Sequence, residues 1–309
     1  MDAMRGFKPD LVHVTGPGDF GMLGAYLAKQ FKVPLVASWH TNVHEYAARR
    51  LEKLLSFVPS RPLQRMSAAA QRHALFGTAQ FYKIARLLFA PNKELVELLR
   101  QRTGKDCHLM QRGVDAQLFS PAKRDPGQRP FTIGYVGRLS AEKNVRLLVG
   151  IERAMLFAGH SNFRFVIAGA GSEETWLREN LRQAEFAGVV KGEALAKLYA
   201  NMDAFAFPSE TDTFGNVILE ALASGVPCVV TAGGGPKFLV RSGETGFIAA
   251  SEPAFVRCVV ELMSNHDLQT RMSAAAREYA CSISWDAVFE KVYAAYESML
   301  TAETLQTAS

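Results

Sequence analysis

The chain has 309 residues, 48% hydrophobic and 21% charged, a balance that excludes a disordered or collagen-like protein. Its 35 Lys and Arg residues and 30 Asp and Glu residues give a net charge of +5, which permits an anionic partner without identifying one. The four cysteines form no C-x-x-C pair, which predicts neither a disulfide framework nor a thiolate metal site and favours a reducing cytoplasm. No apolar run approaches the ~20 residues that span a bilayer.

Short apolar segments of strand length alternate with amphipathic segments of helix length along the chain. In the first half, the apolar segments lie at residues 10–15 and 34–38. In the second half, they return at residues 131–136, 163–168, 204–207 and 227–231. Continuous apolar strands that are separated by helices predict parallel sheets covered on both faces, which is a doubly wound α/β architecture.

A proline-rich segment at residues 120–130 interrupts this alternation and has almost no apolar content. We interpret it as a linker, because a chain of this length usually forms two domains. The predicted domains cover residues 1–125 and 130–283. A last amphipathic helix is predicted over residues 285–303, and its periodicity leaves open whether it packs on the second domain or returns to the first.

Positive charge is concentrated in residues 44–90, where eight basic side chains accompany two acidic ones. Apolar residues such as Phe81 and Leu88 lie among them. A basic amphipathic stretch of this kind can dock on an anionic membrane surface, and the alternative is a solvated basic face over an ordinary core. Nucleic acid is not a predicted partner, because no known binding motif accompanies the charge.

The segment at residues 137–144 directly follows a predicted strand and opens a helix. Gly137 lets the backbone approach a ligand closely, and Arg138 and Lys143 place two cations at the carboxyl end of that strand. Open α/β sheets bind ligands at this edge, and two cations there suit a diphosphate. Considered by itself, this segment also fits the alternative that the two cations are ordinary surface charges at the start of a helix.

The segment at residues 207–230 reads as strand, loop, helix and strand. Asp212 lies in the loop, and Glu220 lies eight positions later in the helix. Residues 213–216 would present unpaired N–H groups at the helix N-terminus, which suits an anion. Glu220 would face the same crevice and accept hydrogen bonds from ribose hydroxyls. A capping acid and a solvated glutamate remain the alternative for this pair on its own.

Taken together, these motifs follow an ordered pattern. Arg138 and Lys143 precede Asp212 and Glu220, and glycine-rich segments follow at residues 233–236 and 243–247. This order resembles the retaining glycosyltransferases of family 4, and the resemblance covers essentially the whole chain. Three segments are most similar to the branch of GDP-mannose-dependent α-mannosyltransferases and sulfolipid or glucosyl-lipid synthases, namely residues 15–21, 38–42 and 112–115.

The resemblance implies a GT-B fold, in which two Rossmann-like domains with parallel sheets face a cleft. It also implies that a mannose- or glucose-type hexose moves from GDP-mannose or a UDP-sugar to a lipid or glycan acceptor with retained configuration. The leaving phosphate would help to deprotonate the acceptor, so catalysis would be mainly electrostatic stabilisation and positioning. No metal and no other cofactor is implied. The expected location is the cytoplasm, including the inner face of the cytoplasmic membrane.

The resemblance also implies roles for single residues. Arg138 and Lys143 would hold the diphosphate, Glu220 the ribose and Asp212 the hydroxyls of the transferred sugar. His40 would lie beside the donor sugar and the acceptor. The implied catalytic residues are therefore His40, Arg138, Lys143 and Asp212. The implied donor-binding residues are Gly137, Arg138, Lys143, Val190, Asp212, Thr213, Phe214, Gly215, Asn216 and Glu220.

The sequence departs from the family pattern in three places. Asp212 stands where Glu is more common, and Lys237 stands where many relatives carry an acid. Family members also have a further strand, a glycine-rich turn and one or two βα units ahead of a segment like residues 8–14. The first domain is therefore expected to lack its first strands and to expose a strand edge.

The missing segment and the fold each leave one other function open. One is a non-catalytic nucleotide-sugar-binding remnant, and the other is a nucleotide-sugar epimerase built on the same paired domains. The sequence does not decide the sugar, the base, the acceptor or the oligomeric state.

Overall fold

The computed structural model describes residues 6–40 and 60–307. The chain divides into two compact units, one formed by Met1–Gln111 with Lys291–Ser309 and the other by Arg112–Glu290. Each unit contains a parallel β-sheet and helices, so the predicted α/β class is confirmed. Within the described ranges, no helix combines the length and the apolar character that crossing a membrane requires.

The first unit contains a four-stranded parallel sheet whose strands lie in chain order. The strands are β1 (Val12–Val14), β2 (Leu35–Ser38), β3 (Leu87–Ala90) and β4 (Cys107–Leu109). The helices between them are α1 (Asp19–Phe31), α2 (Ser60–Lys83) and α3 (Lys93–Thr103). Strands β2 and β3 are buried along their whole length, as expected for central strands of a sheet with covered faces.

The second unit contains a six-stranded parallel sheet in the order β10-β9-β8-β5-β6-β7. The strands are β5 (Phe131–Val136), β6 (Phe163–Ala168), β7 (Ala184–Gly188), β8 (Ala204–Phe207), β9 (Cys228–Thr231) and β10 (Gly246–Ala249). The helices are α4 (Leu147–Phe157), α5 (Glu174–Asn180), α6 (Gly192–Ala200), α7 (Asn216–Ala223), α8 (Glu252–Ser264) and α9 (His266–Cys281). The chain order reverses at β5, because β6 pairs with one side of it and β8 with the other.

The last helix, α10 (Trp285–Thr307), begins in the second unit, and its residues from Lys291 onward belong to the first. Val292 and Met299 are buried there in a cluster with Val36, which lies on β2. In addition, the Tyr296 hydroxyl lies 2.5 Å from Nδ1 of His13 on β1. The carboxyl-terminal helix therefore closes one face of the first sheet, which the periodicity had left open.

The proline-rich segment at residues 120–130 is not a linker between the two units, because it lies wholly within the second one. Arg124 forms an ion pair with Asp203, and Arg129 donates a hydrogen bond to the side chain of Asn201. These contacts fix the segment beside the amino-terminal end of β8. The interpretation as a linker was wrong because polar contacts, rather than apolar burial, hold the segment in place.

Candidate functional site

A cavity of about 330 Å³ opens at the carboxyl ends of β5 and β8. These strands are neighbours at the point where the strand order of the second sheet reverses. Open α/β sheets bind ligands at such a reversal, because the loops on either side diverge and leave a crevice. The residues that line the cavity are Arg112, Val136, Gly137, Arg138, Lys143, Phe207, Asp212, Thr213, Phe214, Gly215, Asn216 and Val217.

The cavity brings together all of the predicted donor-binding residues except Val190 and Glu220. They come from two separate stretches of the chain, the loop after β5 and the loop after β8. Parallel strands end at the same edge of a sheet, which is why these loops meet although some 70 residues separate them. The roles of the individual residues stay predictions.

Lys143 and Asp212 form an ion pair at this cavity, with 2.6 Å between Nζ and Oδ1. Lys143 is only 8% exposed, so its charge requires a partner. The other carboxylate oxygen of Asp212, Oδ2, is buried and has no hydrogen-bond partner among the described residues. Asp212 can therefore hold Lys143 with one oxygen and accept a hydrogen bond from a ligand hydroxyl with the other.

Arg138 is the more exposed of the two predicted cations, with 63% of its side chain accessible. Its guanidinium lies 3.5 Å from the carboxylate of Glu142, and an exposed pair of this kind is weak. The Arg138 carbonyl accepts a hydrogen bond from the buried hydroxyl of Tyr135 at 2.9 Å. Burial raises the pKa of that phenol well above its usual value, so it remains a neutral donor that fixes the loop.

Helix α7 begins at the cavity, and its N-cap residue, Gly215, makes no side-chain hydrogen bond to it. Gly215 immediately precedes it with a φ of 100°, a left-handed conformation that glycine adopts without strain. The N–H groups of the first turn and the helix dipole therefore add partial positive charge beside Arg138 and Lys143. Two cations and a helix start at one edge of a sheet are an arrangement that favours an anionic ligand.

Glu220 lies one turn into α7 but is not among the residues that line the cavity. Its Oε2 accepts a hydrogen bond of 3.0 Å from the hydroxyl of Tyr199, a fully buried residue on α6. Burial raises the pKa of Glu220 above its usual value, and the hydrogen bond from Tyr199 opposes that rise. The expectation that Glu220 shares one crevice with Arg138 is not met by the lining of this cavity, and its role toward ribose stays a prediction.

The two remaining predicted residues lie elsewhere. Val190 follows β7, the edge strand, and packs in part against the core of the second unit. His40 follows β2 in the first unit, with its Nε2 2.8 Å from the hydroxyl of Ser38. Neither residue lines this cavity, so the donor-binding role of Val190 and the catalytic role of His40 remain predictions.

The basic stretch at residues 44–90 falls partly outside the described residues, because 41–59 are not described. In the described part, Phe81 is 8% exposed and Leu88 is 0% exposed, and both belong to the core of the first unit. These two side chains support the alternative of an ordinary core. The described residues also contain no group of three or more His, Cys, Asp or Glu side chains that could hold a metal ion.

Two side chains near this site were not predicted as site residues. Arg112 lines the cavity, although the sequence places its segment only in a family motif. Tyr199 contacts Glu220 from a different helix. A single arginine ahead of a polar segment and a tyrosine in an amphipathic helix carry no sequence signal of their own, because both contacts depend on tertiary packing.

Comparison with known proteins supports the family resemblance that the sequence motifs indicate. Residues 130–265 match the family described as Glycosyl transferases group 1, and residues 1–118 match the one described as Glycosyltransferase Family 4. A GDP-mannose-dependent alpha-mannosyltransferase of Mycolicibacterium smegmatis is 32% identical over 316 residues, which cover 99% of this chain and 78% of that protein. Sulfoquinovosyl transferase SQD2 of Arabidopsis thaliana is 30% identical over 303 residues, which cover 93% and 56% of the two chains.

Solved structures show the same fold. Sucrose-phosphate synthase from Thermosynechococcus elongatus matches with a TM-score of 0.73 at 19% identity, over 97% of this chain and 76% of that one. Anabaena HepE in complex with UDP and glucose matches with a TM-score of 0.68 at 17% identity, over 96% and 80% of the chains. The two parallel-sheet units are those of a GT-B fold, and the chain belongs to glycosyltransferase family 4.

Proposed function

We propose that this protein is a retaining hexosyltransferase that uses GDP-mannose as its donor and a lipid or glycan as its acceptor. The observation that carries the proposal is the cavity in which Arg138, the Lys143–Asp212 pair and the start of α7 meet. A nucleoside diphosphate carries negative charge that matches this edge, and its sugar brings hydroxyls that match Asp212. The choice of GDP-mannose rests on similarity to proteins named GDP-mannose-dependent alpha-mannosyltransferase.

In this proposal, Arg138 and Lys143 hold the diphosphate and stabilise the negative charge that grows as it leaves the sugar. Asp212 accepts a hydrogen bond from a sugar hydroxyl through Oδ2 while Oδ1 stays on Lys143, so one pair positions both the sugar and the leaving group. The leaving phosphate takes the proton of the attacking acceptor hydroxyl on the same face, which retains the anomeric configuration. The cations, rather than a metal ion, neutralise the diphosphate.

Titration calorimetry with GDP, UDP and their sugars tests the donor assignment, and a transfer assay with radiolabelled GDP-mannose and UDP-glucose tests the reaction. We expect GDP-mannose to bind, and we expect its mannose to be released by hydrolysis or transferred to an added acceptor. The proposal fails when the protein binds neither nucleotide. Binding without transfer or hydrolysis would favour the non-catalytic remnant, and conversion of the donor sugar to its epimer would favour the epimerase.

We place this reaction at the inner face of the cytoplasmic membrane, where the basic stretch at residues 44–90 would meet anionic headgroups. Flotation with vesicles of phosphatidylglycerol and phosphatidylcholine tests the placement. We expect the protein to float with the anionic vesicles at low salt and to be released at high salt. Equal recovery with purely zwitterionic vesicles would contradict an electrostatic attachment.

Replacing Glu220 by glutamine is expected to weaken donor binding while it stabilises the fold. Burial raises the pKa of Glu220, so its ionised form costs the folded state free energy that the unfolded chain does not lose. That cost develops as the pH rises from the ordinary glutamate pKa through the raised folded value. Glutamine keeps an acceptor oxygen for Tyr199 and has no charge to bury.

The midpoint of thermal unfolding should therefore be higher for Glu220→Gln than for the wild type at pH 8, and the two should converge near pH 4, where both side chains are neutral. Loss of a charged acceptor for ribose should lower GDP affinity by about tenfold or more. The role of Glu220 toward the donor is wrong if calorimetry finds equal GDP affinities at pH 8.

A further inference from the structure

A third cation, Arg112, lines the donor cavity together with Arg138 and Lys143. Lys143 is neutralised by Asp212, and Arg138 lies near the carboxylate of Glu142. The guanidinium of Arg112 instead contacts the amide oxygen of Asn216, with 3.4 Å between Nη1 and Oδ1. An amide oxygen carries no formal charge, so this contact does not neutralise the positive charge of Arg112 at the start of α7.

The backbone next to Arg112 packs against the segment that leads into α10. A Cβ atom on Gly113 would lie 2.4 Å from the backbone nitrogen of Trp285, so only glycine allows this close approach. The next residue, Val114, donates a backbone hydrogen bond of 3.2 Å to the carbonyl of Ile283. Packing therefore sets the backbone position at Arg112 before a ligand binds, which lowers the entropic cost of using this residue.

We propose that Arg112 binds the diphosphate of the donor as a third cation, entering the cavity from outside the loops that follow β5 and β8. A planar guanidinium offers five N–H donors, so one can remain on Asn216 while others reach phosphate oxygens in a bidentate pair. This inference rests on the proposed function, because that function supplies the diphosphate. Its distinct consequence is that Arg112 favours a nucleoside diphosphate over the corresponding monophosphate.

Two variants test the inference, Arg112→Ala and Arg112→Lys, each titrated with GDP and with GMP by calorimetry. We expect Arg112→Ala to lower GDP affinity about 10- to 100-fold, since a hydrogen bond to a charged group contributes about 1.5–3 kcal/mol. The loss of GMP affinity should be smaller, so the ratio of GDP to GMP affinity falls. Lysine restores the charge without the fork and should recover part of that ratio.

The matched control is Arg178→Ala, because Arg178 belongs to the same unit but pairs with Glu174 within α5 and does not line the cavity. It should leave both affinities within about twofold, the range expected for a surface pair. Unchanged GDP affinity in Arg112→Ala overturns the inference, and so does an equal loss of GDP and GMP affinity, which indicates a structural role. A wild type that binds neither nucleotide, nor UDP, removes the proposed function and this inference with it.

Discussion

Replacing Lys143 by alanine is expected to lower sugar transfer about 100- to 1,000-fold, the usual effect of removing one preorganised electrostatic contact to a transition state. It should also destabilise the second unit by about 2 kcal/mol, because Asp212 would keep a poorly hydrated carboxylate without its partner. Steady-state transfer kinetics and denaturant unfolding measure the two effects separately. Transfer within tenfold of the wild type would show that Lys143 does not stabilise the leaving diphosphate.

A double variant separates the two consequences of losing Lys143. Adding Asp212→Asn to Lys143→Ala removes the uncompensated carboxylate, so part of the stability should return while transfer remains lost. The control is Arg146→Ala. Arg146 lies three residues later and pairs with Glu173 at 2.6 Å, but it does not line the cavity. Its variant should transfer sugar at nearly the wild-type rate, and a matching loss there would point to a general effect of positive charge.

The parts of this site that could be predicted from the sequence are charged side chains in loops that follow a strand, because the strand sets their position in the sheet. Arg138 and Lys143 lie in the loop that follows the six-residue strand β5, and parallel sheets bind ligands where their strands end. Asp212 follows β8 in the same way, so the meeting of the two loops follows from the topology alone. The parallel α/β class was predictable for the same reason, since continuous apolar strands alternate with helices.

The contacts that could not be predicted join elements that meet only through tertiary packing, which the sequence pattern does not reveal. Tyr199 and Glu220 are 21 positions apart on two helices, and their hydrogen bond depends on how α6 packs beside α7. Arg112 lines the cavity from a segment in which Gly113 packs against Trp285, more than 170 positions later. The interpretation of residues 120–130 as a linker was wrong for a related reason, because ion pairs such as Arg124 with Asp203 leave no apolar pattern in the sequence.

The second large effect concerns the glycine-rich segment at residues 233–236, which supports the loop that contains Asp212. A Cβ atom on Gly235 would lie 2.0 Å from the carbonyl oxygen of Thr213 and 2.2 Å from its carbonyl carbon. The Gly235 N–H also donates a hydrogen bond of 2.6 Å to the carbonyl of Asp212. Since the obstruction is backbone rather than the end of a flexible side chain, Gly235→Ala must move one of the two loops.

Gly235→Ala is therefore expected to reduce the free energy of unfolding by about 1–3 kcal/mol, as other overpacked substitutions do. Displacing the Asp212 loop should also separate Asp212 from Lys143 and shift the start of α7, so GDP affinity should fall more than tenfold. Gly150→Ala is the control, because among the described residues its Cβ atom would meet Leu147 Cδ1 alone, at an ordinary 3.6 Å within α4. Alanine favours a helix interior over glycine by about 1 kcal/mol, so this control should gain stability and keep full GDP affinity. A Gly235→Ala variant with wild-type stability and affinity would show that the two loops adjust to each other, and that the donor site does not depend on their close packing.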